Sequence, residues 1–208
     1  MMPLKPLQLS ISAIDASPFP LDISLVKQHL AVDDTNSDTL IEAYMQGAVA
    51  WAEGAMHRTI YARSHRWVLK DFPRDCDPRI RLPRGKTQSV ESIQYVNARQ
   101  TLTLTGPSSG SPAGSDWQED LHDDDGGVLL SPQGGIWPSV DYDAVSPVVI
   151  NFTAGWLTAE VPSDVIHALL FAVSDSHDTR GTADLTSFGP NFNTRAALIS
   201  PYNLVRWY

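Results

Sequence analysis

The chain has a single cysteine, Cys76, among its 208 residues. One thiol cannot close an intrachain disulfide or build a thiolate-rich zinc site, and no neighbouring residues mark it as a nucleophile. Basic charge is scarce as well. Lys and Arg number 15 against 24 Asp and Glu, a net charge of −9. That balance argues against a protein that wraps nucleic acid, which needs clustered cations to neutralise phosphates. It suits a surface past which DNA moves without sticking. No apolar run approaches the ~20 residues that span a bilayer. Residues 1–20 carry Pro3, Pro6, Pro18 and Pro20 with no continuous apolar block, so they read as an irregular arm and not as a signal peptide. The expectation is a soluble chain made in a cytoplasm, for which the glycosylation sequon at Asn151-Phe152-Thr153 has no bearing.

Motifs of catalysis are missing too. There is no Gly-x-Ser-x-Gly elbow, no P-loop and no Gly-x-Gly-x-x-Gly fingerprint. His122-Asp123-Asp124-Asp125-Gly126-Gly127 offers the oxygen ligands calcium prefers, but without the alternate spacing and distant Glu of an EF-hand it reads as a solvated acidic turn. His167 and His177 stand nearly three helical turns apart, too far to share a metal. His57 and His65 straddle a change of period, and nothing places a third ligand. The expectation is therefore no enzyme, no metal and no cofactor.

What is present is a pattern of helix, then strand, then helix. Asp22 can cap a helix over Ile23–Leu30 that carries Leu25, Val26 and Leu30 on one face. After the turn formers Asp33 to Ser37, apolar residues from Leu40 through Tyr44, Ala48 and Ala52 to Met56 recur at spacings of three and four, a second amphipathic helix. Gly47 and Gly54 weaken it and could mark close packing against another helix. Beyond Arg58 the period drops to two. Strands are expected over 65–72, 79–82, 89–97, 101–105, 128–131 and 147–154, with an exposed Gly-Ser-Pro loop at 106–114. A helix returns at Ser163, the expected N-cap, and runs to about His177 with Val165, Ile166, Leu169, Leu170 and Val173 as its stripe. Residues 194–199 add a short helix.

No internal repeat appears. The fold class is α+β: packed amphipathic helices from the N- and C-terminal parts, with a small antiparallel β-sandwich or barrel-like lobe inserted between them. The boundaries are an arm at 1–20, helical parts at 21–60 and 157–199, the lobe at 61–156 and a tail at 200–208.

Several segments are similar to the head-tail connector (adaptor) proteins of tailed bacteriophages. They are Leu21-Asp22-Ile23-Ser24-Leu25 through Leu30, with the Asp-rich turn and Asp38-Thr39-Leu40-Ile41. Next come Leu82-Pro83-Arg84-Gly85 with Val90-Glu91-Ser92-Ile93 and Tyr95, then Phe152-Thr153-Ala154-Gly155-Trp156. Val161-Pro162 and Leu198-Ile199-Ser200-Pro201-Tyr202 complete the set. Each is common alone; their order across residues 21 to about 203 is specific. The chain departs from the family in its long 106–114 loop and in the segment after the long C-terminal helix, Asp178-Thr179-Arg180-Gly181.

The resemblance implies a ring of identical subunits, a dodecamer as a rule, in the neck of the virion. Such a ring sits beneath the portal protein, carries a tail-completion or stopper protein, and surrounds the channel through which DNA leaves without sequence-specific binding. It implies no membrane partner. It also implies that a C-terminal segment docks on the portal, here Leu204, Val205, Arg206, Trp207 and Tyr208, whose aromatics and Arg are favoured interface anchors. Arg79, Arg81 and Arg84, in a basic cluster with Arg74 and Lys86, read either as an ordinary solvated face or as the contact with an acidic neighbouring subunit. The other reading that the residues leave open is a carbohydrate-binding or other interaction module, with Trp67, Trp117, Trp137 and Trp156 as a stacking platform.

Overall fold

The computed structural model describes residues 6–11 at the level of the backbone, and 21–74, 78–107, 115–131, 136–179 and 192–204 in full. The chain divides into two compact units. Among the described residues, one joins 6–11 with those of 62–155; the other joins 21–61 with those of 156–204.

The helical unit is built from α1 (Ile23–Leu30), α2 (Asp38–Met56), α3 (Ser163–Asp178) and α4 (Phe192–Ile199). Asp22 caps α1 as its sequence predicts, accepting from the Ser24 amide at 2.9 Å. Ala31 ends α1 in the left-handed conformation, and His57 ends α2 the same way. At α3 the expected cap is displaced by one residue: Pro162 is the N-cap and Ser163 opens the helix, with no side-chain cap bond. The stripes of α2 and α3 meet in one core. Ile41, Met45, Ala48, Ala52 and Met56 pack with Val165, Leu169, Leu170 and Val173, closed by Val26 of α1 and Ile199 of α4. Leu25, expected on the inner face of α1, is exposed. Gly47 and Gly54 are exposed too, and a Cβ at either position would meet nothing within 4 Å, so neither serves close packing inside the subunit.

The lobe holds two antiparallel sheets. The larger has the order β1-β2-β8-β4-β5, from Pro6–Ile11, Arg63–Leu69, Val148–Ala154, Thr87–Asn97 and Gln100–Leu104. The smaller has the order β3-β7-β6, from Ile80–Arg81, Val128–Leu130 and Gln118–Asp120. β8, last in sequence, fills the centre of the larger sheet between β2 and β4. Its register sets Phe152 opposite His65 and Ile150 opposite Trp67. Trp67, Leu69, Ile93, Ile150 and Phe152 from this sheet share a core with Ile80 and Leu129 of the other.

Two elements differ from the sequence expectation. Residues 6–11, expected within an irregular arm, form edge strand β1; Pro6 is its first residue, where a missing N–H costs the ladder nothing. β6 is a three-residue Gln-Glu-Asp strand with no apolar alternation to betray it. The Gly-Ser-Pro loop also begins less exposed than expected. Gly106 lies so close against the buried Trp117 ring that a Cβ there would come within 2.9 Å of it.

Candidate assembly surfaces

The Leu82-Pro83-Arg84-Gly85 segment follows β3 and is stitched to the turn that leads into β7. The Leu82 amide donates to the Gly127 carbonyl at 2.8 Å, and the Gly127 amide donates to Thr87 Oγ1 at 2.9 Å. Gly85 and Gly126 form an isolated β-bridge. Gly126 has φ +137°, and a Cβ there would stand 2.3 Å from the Leu82 carbonyl oxygen, so only glycine permits this approach. The turn's own carboxylates brace it: Asp123 accepts from the Asp125 amide at 2.9 Å, and Asp120 accepts from both the amide and Nδ1 of His122. Those bonds hold the Asp120 carboxyl below its usual range.

Folding thus brings the acidic turn beside the basic cluster. Arg81 Nη1 lies 3.7 Å from Asp123, and Lys86 Nζ lies 4.0 Å from Asp124. These pairs are solvated, and little stability resides in them. Arg79 and Arg81 are exposed, as a contact with another subunit requires. Arg84 is not: it is half-buried, with φ +79°, and belongs to the turn's framework.

A second group lies close to Arg79. Trp137 is buried, stacked on Phe72 at 4.9 Å with 3° between the rings, and its Nε1 donates to the Pro78 carbonyl at 2.6 Å. That bond ties the residue after Ile136, itself 81% exposed, to the residue before Arg79. Arg74 grips Asp71 in two-pronged fashion, at 3.0 and 3.2 Å, and reaches the Pro138 carbonyl at 3.4 Å. The Tyr142 hydroxyl helps hold the Arg74 guanidinium in its charged form, after the larger contribution of Asp71. Exposed Arg74 and Arg79 and exposed Ile136 and Tyr142 therefore belong to segments that these bonds tie together.

In the helical unit, Thr39, Ala43, Gln46, Gly47, Ala50 and Gly54 fall on the outward face of α2, all exposed. Glu42 is the one exposed charge on the helix. Little in the sequence marks this face, because alanine and glycine are at home on either side of a helix.

The chain is tied down as far as Leu204, whose amide donates to the Met56 carbonyl at 2.9 Å; nearby, Tyr202 packs edge-on against Trp156 at 5.8 Å. Val205, Arg206, Trp207 and Tyr208 lie outside the described residues, as does Cys76. The sugar platform of the alternative reading does not exist as a surface: Trp67, Trp117, Trp137 and Trp156 are all buried in the two cores. Trp156 is further covered by Arg58, whose guanidinium sits 4.8 Å from the ring centroid. Among the described residues, no three His, Cys, Asp or Glu side chains are placed to hold a metal ion, and no helix is long and apolar enough to cross a membrane.

No protein-family model and no curated protein sequence matches the chain. Solved structures do. A chain from the neck of the empty GTA particle, computed with C6 symmetry, superposes with a TM-score of 0.71 at 21% identity over 97% of this chain and 98% of that one. A chain from the virion of the native gene transfer agent particle gives 0.70 at 21% identity, with the same coverage. One from the neck of the native GTA particle, computed with C12 symmetry, gives 0.69 at 20%, again over 97% and 98%. The fold is shared from end to end.

Proposed function

We propose that this protein is a structural subunit of the neck of a tailed, phage-like particle: a head-tail connector that forms a ring below the portal protein, accepts a tail-completion or stopper protein, and surrounds the DNA exit channel. The observation that carries the reading is the end-to-end fold match to chains of a particle neck, covering 97% and 98% of the two chains at a TM-score of 0.71. Symmetric neck reconstructions of those particles, with C6 and C12 symmetry, support a ring of identical copies. The family-like segments from Leu21 to Tyr202 point the same way, and they rest on residues instead of shape.

On this reading the chain is a building part and not a catalyst, and its place is the virion neck. Its net charge of −9 supports a channel component that DNA passes without adhering, because like charge repels the phosphates. Residues 204–208 are the segment proposed to dock on the portal. Leu204, fixed to the end of α2 through Met56, would serve as the root of that anchor, with Arg206, Trp207 and Tyr208 as its contacts.

Negative-stain microscopy of the purified protein, alone and with portal, tests the assignment. Rings, or collars on the portal, are expected; a monomer that leaves the portal bare would sink it. Removing residues 205–208 should abolish portal binding while the thermal unfolding of the chain stays unchanged. Undiminished binding would remove the tail from the interface.

A further inference from the structure

The run from Ile199 to Leu204 is fixed more firmly than its own burial accounts for. Ser200, Pro201 and Asn203 are exposed, and Tyr202 and Leu204 are half-buried. Yet Ile199 is set in the helical core, Pro201 presets the backbone of the 3-10 turn Ser200–Tyr202, and the Asn203 amide donates to the Ser200 carbonyl at 3.2 Å. Past that turn the Leu204 amide reaches the Met56 carbonyl. A helix leaves its last carbonyls without intrahelical partners, and α2 has no basic residue in its last turn to serve them. Leu204 supplies the missing donor. Trp156 is the second fastening. Its ring takes Tyr202 edge-on, at 89° between the planes, and the Arg58 guanidinium over its face. Its amide donates to the Ile60 carbonyl at 3.1 Å, and the Ile60 amide donates to Glu53 of α2 at 2.9 Å. Trp156 is thereby bound to the end of α2, so Tyr202 and Leu204 grip one rigid place by two separate contacts.

We infer that Tyr202 and Trp156 are positioning residues for the portal-binding tail: their contact fixes the point and direction at which the chain passes beyond Leu204. The inference rests on the tail reading above and adds to it the residues that aim the anchor. A single N–H bond from Leu204 is a pivot about which the chain can swivel. A ring contact two residues earlier, against the same place, removes that freedom. A short anchor gains from such a root, because ordering accomplished in folding need not be repeated on docking. The contact is made by the aromatic ring of Tyr202, so phenylalanine should serve in its place.

Two measurements on the full-length chain test this: its affinity for immobilised portal protein, and hydrogen exchange at single amides. Tyr202→Ala should weaken portal binding about tenfold. It should also speed exchange at the Leu204 amide while the amides of α2 and α3 keep their protection. Tyr202→Phe should match the unmodified chain in both. Unchanged portal affinity in Tyr202→Ala would overturn the inference. So would a loss of affinity accompanied by lost protection throughout α2 and α3, since Tyr202 would then only hold the fold together, and so would a failure of Tyr202→Phe to restore binding. The tail reading has its own control. If removing residues 205–208 leaves portal binding undiminished, or if the unmodified chain does not bind portal, that reading fails and this inference with it.

Discussion

Arg195 Nη1 stands 3.3 Å from Asp175 Oδ2, and both side chains are largely out of water. The pair fastens α4 to α3, while the same guanidinium lies 4.6 Å from the Trp51 ring centroid of α2. One cation thus joins three helices. Removing it takes a cation from a buried carboxylate, which is costly because the desolvation of Asp175 is then less fully compensated. Arg195→Met is expected to destabilise the chain by about 3 kcal/mol in a urea titration. Adding Asp175→Leu should recover most of that loss, since a matched apolar pair costs far less than a single buried ion. Equal and additive losses from the two changes would show that the pair is not coupled.

Gly47 and Gly54 are expected to respond in the opposite direction. Both sit inside α2, both are exposed, and a Cβ finds open space at each. Replacing glycine by alanine in such a position lowers the backbone entropy lost on folding. Gly47→Ala and Gly54→Ala should each stabilise the isolated subunit by about 1 kcal/mol, visible as a raised thermal midpoint. A loss of stability in dilute, unassembled protein would mean that the helix is constrained there in a way its surroundings do not reveal.

Gly126 is the contrasting case. Its φ of +137° and the 2.3 Å approach of a built Cβ to the Leu82 carbonyl leave no room for a side chain. Gly126→Ala should cost at least about 2 kcal/mol, by strain and by loosening the Leu82–Gly127 hydrogen bond. Hydrogen exchange at the Leu82 amide provides the local reading, and protection equal to that of the unchanged protein would contradict it.

Much of this architecture is legible in the sequence because periodicity reports burial. The α2 stripe from Ile41 to Met56 and the α3 stripe from Val165 to Val173 mark their inner faces, and together they form the helical core. Asp22 is recognisable because a cap acts on residues two positions away. Long-range register carries no such mark. The approach of Arg81 to Asp123 depends on how β3 meets β7, and the bond from Trp137 to Pro78 spans 59 residues. The tryptophans illustrate the same limit: the sequence places large rings at Trp67, Trp117, Trp137 and Trp156, and only packing reveals that they face inward. The outward face of α2 is hidden for a related reason. Its alanines and glycines are neither apolar enough to mark a buried stripe nor charged enough to mark a solvated one.

His65 offers a pH-dependent check on the lobe. It is buried on β2, stacked on Phe152 with ring centroids 5.4 Å apart. Burial above all, then the charges of Arg63 and Arg84, lowers its pKa from 6.5 to about 4. The unfolded chain therefore binds a proton at this residue between those two values while the folded chain does not, so acid favours unfolding. The contribution is fully present above about pH 6.5 and is lost as the pH falls through the interval to about 4. A shift of this size corresponds to roughly 3 kcal/mol over the whole interval. Carboxylates titrate in the same range, so the useful quantity is the difference from a variant that cannot be protonated there. His65→Gln should show a smaller loss of stability between about pH 7 and about pH 4 than the unchanged chain, by up to about 3 kcal/mol in urea titrations. Parallel stability curves for the two proteins would mean that His65 is protonated in the folded lobe without penalty.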